Sequence, residues 1–296
     1  MSRPDPSALY KSPQGFAAAM ASYEAALQRL ATSYQSVFVP TSFGATHVIV
    51  TGPKGAPPVV LLHGWNTNAS GWWPQINALS HDYRIYAPDT IGHAGKSAPT
   101  RPPMRGPAYG QWLIEVLDAL SLQRAAFAGS SGGAWLTFKL AARAPERIER
   151  AILLSPAGIV PIRTAFLAKF LLLNMITTAD SLAARSARLF SPQPLRIDAD
   201  HLRWQEPLAR FFKGQLPPPT LPDASLRRLS GLTLALVGRY EVVFNPRAVI
   251  RRLQRLLPNL GHADLVPDAG HDMTYDAPGS VNERMLRFLR ETEPRA

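Results

Sequence analysis

Short apolar runs punctuate this chain of 296 residues, and each breaks off at a small or turn-forming residue. Val59-Val60-Leu61-Leu62 runs into His63-Gly64, residues 124–128 run into Gly129, and Leu232-Thr233-Leu234-Ala235-Leu236-Val237 runs into Gly238, while a further strand ends at Ser155. Runs that are apolar at consecutive rather than alternate positions predict strands buried on both faces. A looser alternation over residues 262–266 predicts one more short strand. Elsewhere the spacing changes to the helical period, as over residues 134–142 and the closing stretch 281–290. Strand and helix alternate from Gln35 to Ser155, which predicts an α/β fold, a mostly parallel central sheet with helices on both faces.

Two regions stand outside that alternation. Ser12-Pro13 has the form of a helix N-cap followed by proline at the first helical position. The residues behind it, Phe16, Met20, Tyr23, Leu27 and Leu30, make a narrow apolar stripe that predicts an N-terminal helix clamped onto the core or onto a cap. From Pro156 to Leu229 there is no strand pattern but several helical ones, including residues 165–176 and 181–190, with turn signals at Ser191-Pro192-Gln193-Pro194 and Leu216-Pro217-Pro218-Pro219. Lying between two strands of the sheet, this stretch predicts an inserted helical cap. The chain therefore divides into an N-terminal helical extension (1–34), the first part of an α/β core (35–155), a cap (156–229) and the second part of the core (230–296).

The junction Phe127-Ala128-Gly129-Ser130-Ser131-Gly132-Gly133-Ala134-Trp135 carries the first candidate chemistry. Gly129-x-Ser131-x-Gly133 between a strand and a helix is the nucleophile-elbow pattern, in which a serine on a strained turn projects its hydroxyl above the sheet. Ser130 is the near rival and lacks the symmetric glycine flanks. A serine hydroxyl attacks poorly until a histidine removes its proton, and the resulting imidazolium needs a carboxylate. Glu241 follows the strand ending at Gly238, and His271 lies in the turn Pro267-Asp268-Ala269-Gly270-His271 just past another strand. Upstream, the loop entered at His63-Gly64 supplies the backbone N–H of Trp65, which with that of Gly132 would hold an oxyanion. Trp72, Trp73, Asn66 and Val242 flank these loops and are candidates to line a substrate pocket. Each residue alone has an ordinary structural reading, and six other histidines show that histidine by itself is not diagnostic. The order, with every element placed after a strand, carries the argument.

At these residues the chain resembles the α/β-hydrolase fold family throughout, and within it bacterial carboxylesterases of the naproxen-esterase type. The matching pieces are Val39-Pro40-Thr41-Ser42-Phe43-Gly44-Ala45-Thr46-His47-Val48-Ile49, the His63-Gly64 turn, Ala87-Pro88-Asp89-Thr90-Ile91-Gly92-His93-Ala94-Gly95-Lys96-Ser97, the elbow, the loop from Gly238 to Pro246 and Gly270-His271. The resemblance implies a cofactor-free serine esterase with the triad Ser131, Glu241 and His271. Glutamate is the acid where most of the family has aspartate, the Asp89 loop is one residue longer than usual, and Ser130 stands where many relatives carry a bulkier residue, often histidine. Asp89 itself precedes the elbow and reads as a structural residue that pins its turn through nearby backbone.

Composition narrows the picture further. An apolar content of 46% in a chain of this length supports one large core, and the absence of cysteine excludes disulfides, thiol catalysis and cysteine metal sites. No metal or other cofactor is called for. No signal-peptide pattern precedes the first helix, and the most apolar run, residues 165–176, is too short to span a bilayer, so a cytoplasmic location is the expectation. The formal charge of +11 is spread along the chain without a dense basic block, which argues against nucleic acid as a partner and leaves a small-molecule ester as the substrate, in a monomer or homodimer. The expected reaction is hydrolysis of a small to medium hydrophobic or aromatic ester through an acyl-enzyme. The alternatives are lactone, thioester or carbon–carbon bond hydrolysis and acyl transfer on the same triad, and a low-turnover ligand receptor.

Overall fold

The computed structural model describes residues 4–176, 185, 187–192 and 194–291. Eight strands make one sheet: β1 (Tyr34–Val39), β2 (Thr46–Thr51), β3 (Pro58–Leu62), β4 (Arg84–Pro88), β5 (Ala125–Ser130), β6 (Ile148–Leu154), β7 (Leu232–Gly238) and β8 (Leu260–Val266). Their order is β1-β2-β4-β3-β5-β6-β7-β8. β2 pairs antiparallel with β1 and β4, and every other pairing is parallel. The principal helices are α1 (Pro13–Leu27), α2 (Trp73–Leu79), α3 (Ala108–Ala119), α4 (Gly132–Ala141), α5 (Thr164–Ile176), α6 (Ala199–Phe211), α7 (Pro246–Leu256) and α8 (Pro278–Arg290).

The apolar strands are continuous because both faces of the sheet are covered. Successive side chains alternate in direction, so Val60, Leu62, Phe127, Leu153, Ala235 and Val237 pack beneath α3, α4 and α7. Val59, Leu61, Ala126, Ala128, Ile152, Leu154, Leu234 and Leu236 pack with α2, α8 and the end of α1. Strand β5 runs through Ser130 and α4 begins at Gly132, so the turn between them is a single residue. β3 has β4 on one side and β5 on the other. The chain thus leaves β3 toward one edge of the sheet and reaches β5 on the opposite side, which opens a crevice above the carboxyl ends of β3 and β5.

Helix α1 begins as its cap pattern predicts, with Ser12 Oγ accepting from Gly15 N at 3.0 Å. It ends at Leu27, so Leu30 lies past the helix, and its buried face is Gly15, Ala19, Tyr23, Ala26 and Leu27, with Phe16 and Met20 only half-buried. Small residues take the inner positions because α6 lies close along it, Ser22 Oγ donating to the Trp204 carbonyl at 2.9 Å. Between β6 and β7 the described residues form α5, a stretch of helix at residues 187–190, α6 and the short helix Asp223–Leu226. Residues 181–184 and 186 of the predicted 181–190 helix, and Gln193 of the following turn, lie outside the described residues.

Asp89, at the end of β4, is fully buried and gathers this end of the molecule. Its carboxylate accepts from Ala69 N and Lys96 N, both at 2.8 Å, from Tyr23 Oη at 3.1 Å and from His47 Nδ1 at 2.9 Å. The two backbone donors fit the turn-pinning role, and the two side chains add α1 and β2 to it. Burial alone would raise this carboxyl, but the His47 hydrogen bond and charge, with His63 and the Lys96 amide, bring it down to about 2. A carboxyl depressed in the folded state stabilises the fold above its unfolded value and loses that contribution as pH falls through its folded value. Asp89→Asn, which breaks a buried charged network while keeping the shape, is therefore expected to cost about 3 kcal/mol. Calorimetric melting of the two proteins would check it, the gap between them closing as the pH approaches about 2.

Candidate active site

Ser131 occupies the one-residue turn between β5 and α4 with φ +48°, ψ −108°, a region that non-glycine residues rarely adopt and that costs on the order of 1–3 kcal/mol. Four backbone contacts hold it there: its N–H donates to Leu154 O at 2.8 Å, and its carbonyl accepts from Ala134 N and Ala157 N, both at 3.1 Å, and from Trp135 N at 3.3 Å. The turn is possible only because α4 presses onto β3. A Cβ at Gly133 would lie 1.9 Å from the Leu62 carbonyl oxygen. Ser130 is the last residue of β5 and pairs in register with Leu154, which separates the two adjacent serines by geometry.

Ser131 Oγ lies 3.0 Å from His271 Nε2, and His271 Nδ1 lies 2.8 Å from Glu241 Oε2. A carboxylate only accepts, so Nδ1 carries the imidazole proton and Nε2 is left to accept from the serine hydroxyl. Glu241 is buried, and its other oxygen accepts from Val243 N at 2.7 Å and Phe244 N at 3.3 Å. β7 reaches the histidine loop through a second close approach, since a Cβ at Gly238 would lie 2.2 Å from the Gly270 carbonyl oxygen. Asp268, the other carboxylate near His271 in sequence, is exposed.

Burial would lift the Glu241 carboxyl, but the charge and hydrogen bond of His271, with the Ser155 side chain and the Val243 amide, outweigh it and hold the pKa below the ordinary glutamate range. Burial would likewise lower His271. The Glu241 carboxylate, by charge and hydrogen bond, and Asp272 and Asp276 beyond it, raise the histidine above its usual 6.5.

The other sequence candidates separate into two groups. A Cβ at Gly132 would lie 3.0 Å from Trp65 N, so the two predicted oxyanion donors stand side by side. Gly132 is the first residue of α4, where no intrahelical acceptor exists, and among the described residues neither N–H is engaged. Asn66, Trp72 and Trp73, expected to line a pocket, are placed otherwise. Both ends of the Asn66 carboxamide bond the backbone of Gln215. Trp72 is buried in the core cluster with Ile76 and Leu79, and Trp73 packs on Trp204 and Tyr275 with ring centroids 6.0 and 5.1 Å away. The short helical turn Ala69–Trp72 directs both indoles down between the sheet, α1 and α6. Val242 is half-buried against the core, whereas its neighbour Phe244 sets its ring 5.7 Å from His271.

Phe190 and Asp272 went unnoticed in the sequence. The Phe190 ring lies 5.6 Å from His271, its carbonyl accepts the His271 N–H at 3.1 Å, and Phe166 packs on it at 5.3 Å. An isolated phenylalanine in an apolar helical stretch carries no signal of that contact. Asp272 follows His271 directly; burial pushes its carboxyl up to about 7, with His201 Nε2 3.9 Å away.

Three comparisons bear on this arrangement. Residues 57–188 match the model of a family described as alpha/beta hydrolase fold. An uncharacterized carboxylesterase, nap, of Bacillus subtilis is 32% identical over 86% of this chain and 86% of its own, and carboxylesterase YbfK of the same organism is 30% identical over 90% and 92%. Among solved structures, carboxylesterase CesB (YbfK) superimposes with a TM-score of 0.84 at 28% identity, covering 94% of this chain and 99% of that one, and naproxen esterase (carboxylesterase NP), also from B. subtilis, with 0.82 at 28%, covering 95% and 100%.

His271 must be neutral to accept a proton, so activity should fall as pH drops through its raised pKa. The acid limb of kcat/KM is expected to have its midpoint above 6.5. Glu241→Gln removes the charge that raises the imidazole, so the residual activity of that variant should show its acid limb at lower pH. A pH–rate profile of both proteins reads the shift, and an unmoved limb would assign it to another group.

Proposed function

The chain belongs to the α/β-hydrolase fold family, and from that premise we propose that it is a serine carboxylesterase acting on small to medium hydrophobic or aromatic esters. The observation that carries this reading is the line Ser131–His271–Glu241, at 3.0 and 2.8 Å, beside two adjacent unengaged backbone N–H groups. Ser131 Oγ attacks the ester carbonyl while His271 Nε2 takes its proton, and Glu241 orients the ring and stabilises the imidazolium. The tetrahedral oxyanion is held by the N–H groups of Trp65 and Gly132, donors of a kind worth about 3–4 kcal/mol each in the transition state. His271 then gives its proton to the departing alkoxide, and the same base activates water to release the acid. No step calls for a metal or other cofactor.

The substrate class follows from what surrounds His271. Phe190 and Phe244 flank the imidazole and Phe166 extends the aromatic wall, so an apolar or aromatic acyl or alkyl group finds contact there and a charged one does not. Residues 156–229 act as a cap, contributing Phe166 and Phe190 over the carboxyl ends of the strands. Among the described residues no helix is long and apolar enough to cross a membrane.

Hydrolysis of p-nitrophenyl esters of rising acyl length, by wild type, Ser131→Ala and Ser130→Ala, tests the assignment. Ser131→Ala should lose at least about 10⁴-fold in kcat, as removal of a triad nucleophile does, while Ser130→Ala stays within a few-fold of wild type. No turnover by folded wild type would move the reading to another acyl chemistry on the same triad. Phe190→Ala should lower kcat/KM for aromatic acyl groups more than for acetyl.

A further inference from the structure

We propose that Asn66 is a positioning residue for the reaction: its side chain clasps the backbone of Gln215 and so fixes the N–H of the preceding residue, Trp65, in the oxyanion hole. The inference rests on the reading of Trp65 as an oxyanion donor and adds what holds that donor in place.

The clasp joins residues 149 positions apart in sequence. Asn66 Oδ1 accepts from Gln215 N at 2.8 Å and Asn66 Nδ2 donates to Gln215 O at 2.9 Å. Because Gln215 presents one fixed donor and one fixed acceptor, only one orientation of the carboxamide satisfies both. Each end of the side chain is thereby engaged by the protein, which removes Asn66 from the set of groups that would grip a substrate. The backbone of Asn66 sits at φ +62°, a left-handed conformation that asparagine tolerates better than most residues. Its N–H donates to His93 Nδ1 at 3.0 Å, and His93 is buried deeply enough to stay neutral and offer that lone pair.

What Asn66 grips is itself fastened down. The Trp65 indole N–H donates to Leu216 O at 2.7 Å, one residue beyond the clasp, and Gln215 Nε2 donates to Gly92 O at 3.2 Å. Lys213 N donates to Leu9 O at 2.8 Å, and the Arg101 guanidinium bonds the Lys213 carbonyl. The strap of residues 213–216, which follows α6, is thus bonded to the N-terminal segment, to the loop after β4 and to the loop after β3. Residues 65 and 66 are held from three directions, the Asn66 side chain by Gln215, the Asn66 N–H by His93 and the Trp65 indole by Leu216, while the Gly64 carbonyl of the peptide that carries the Trp65 N–H accepts from Thr67 Oγ1 at 2.7 Å. A donor aimed at an oxyanion needs that over-determination, because displacement of the order of 1 Å from productive geometry costs about 10²-fold in rate.

Asn66→Gly keeps the left-handed backbone and removes the clasp. Asn66→Asp keeps the shape but loses the donor and sets a carboxylate against the Gln215 carbonyl. Both would be compared with wild type by melting temperature, by kcat and KM per phosphonate-titrated active site, and by relative affinity for a trifluoromethyl ketone over the matching methyl ketone. That ratio reports stabilisation of the oxyanion. The expected result is a fall in kcat of at least about tenfold, little change in KM, and a loss of trifluoromethyl ketone preference by a similar factor in both variants. Lower melting temperatures with kcat and the ketone ratio unchanged would make the clasp merely structural and overturn the proposal while leaving the oxyanion reading intact. A wild type that shows no preference for the trifluoromethyl ketone would overturn the oxyanion reading and this inference with it.

Discussion

The site depends on one steric fact, the absence of side chains where α4 meets the end of β3. With Leu62 O less than 2 Å from where a Cβ of residue 133 would stand, the helix can approach the strand only through glycine. That approach sets the N-terminus of α4 against the His63–Asn66 loop, and from it follow the adjacency of the Trp65 and Gly132 amides and the forced conformation of Ser131. The strain at Ser131 persists because Leu154, Ala134 and Ala157 over-determine its backbone. Gly238 repeats the device at β7, where it lets the Glu241 loop lie directly against Ala269 and Gly270.

Two buried carboxylates share the interior and differ in what they hold. Asp89 collects two amides, a phenol and an imidazole, and all its partners are structural. Glu241 spends one oxygen on loop amides and turns the other to a single histidine whose far nitrogen faces a serine. Both are held below their ordinary range, so ionisation alone would not tell them apart. The distinction lies in where the partner leads, to β2 and its neighbour Ser36 for His47 and to a strained hydroxyl for His271.

The described residues between β6 and β7 are bound to the sheet domain by more than apolar packing. Phe190 bonds the backbone of His271, and the strap near Gln215 bonds Asn66 in the loop that follows β3, so the inserted segment touches the site on two sides. Helix α1 closes along α6 and sends Tyr23 through to Asp89.

The mostly parallel sheet and the strand–turn–helix junction at Ser131 were legible in the sequence, as were Glu241 and His271 as candidates, because each is written locally. Consecutive apolar positions require burial on both faces, flanking glycines permit the turn, and each candidate follows a strand whose end is marked. Asp89 was legible as a structural residue in part for the same reason, since one of its amide partners, Lys96 N, lies in its own loop, whereas Ala69 N comes from the loop after β3. Side-chain direction across long separations was not legible. Trp72 and Trp73 have the composition of a pocket wall, yet the turn carrying them points inward, and only the positions of α1, α6 and the sheet make that direction favourable. Asn66 has a carboxamide that would suit a substrate, and its true partner lies 149 residues away on a strap whose path no local pattern encodes. Phe190 likewise meets His271 only because the inserted segment folds back over β7 and β8. Local pattern named the candidate groups, and the fold set which neighbours hold them in place, because those contacts join segments that share no local constraint.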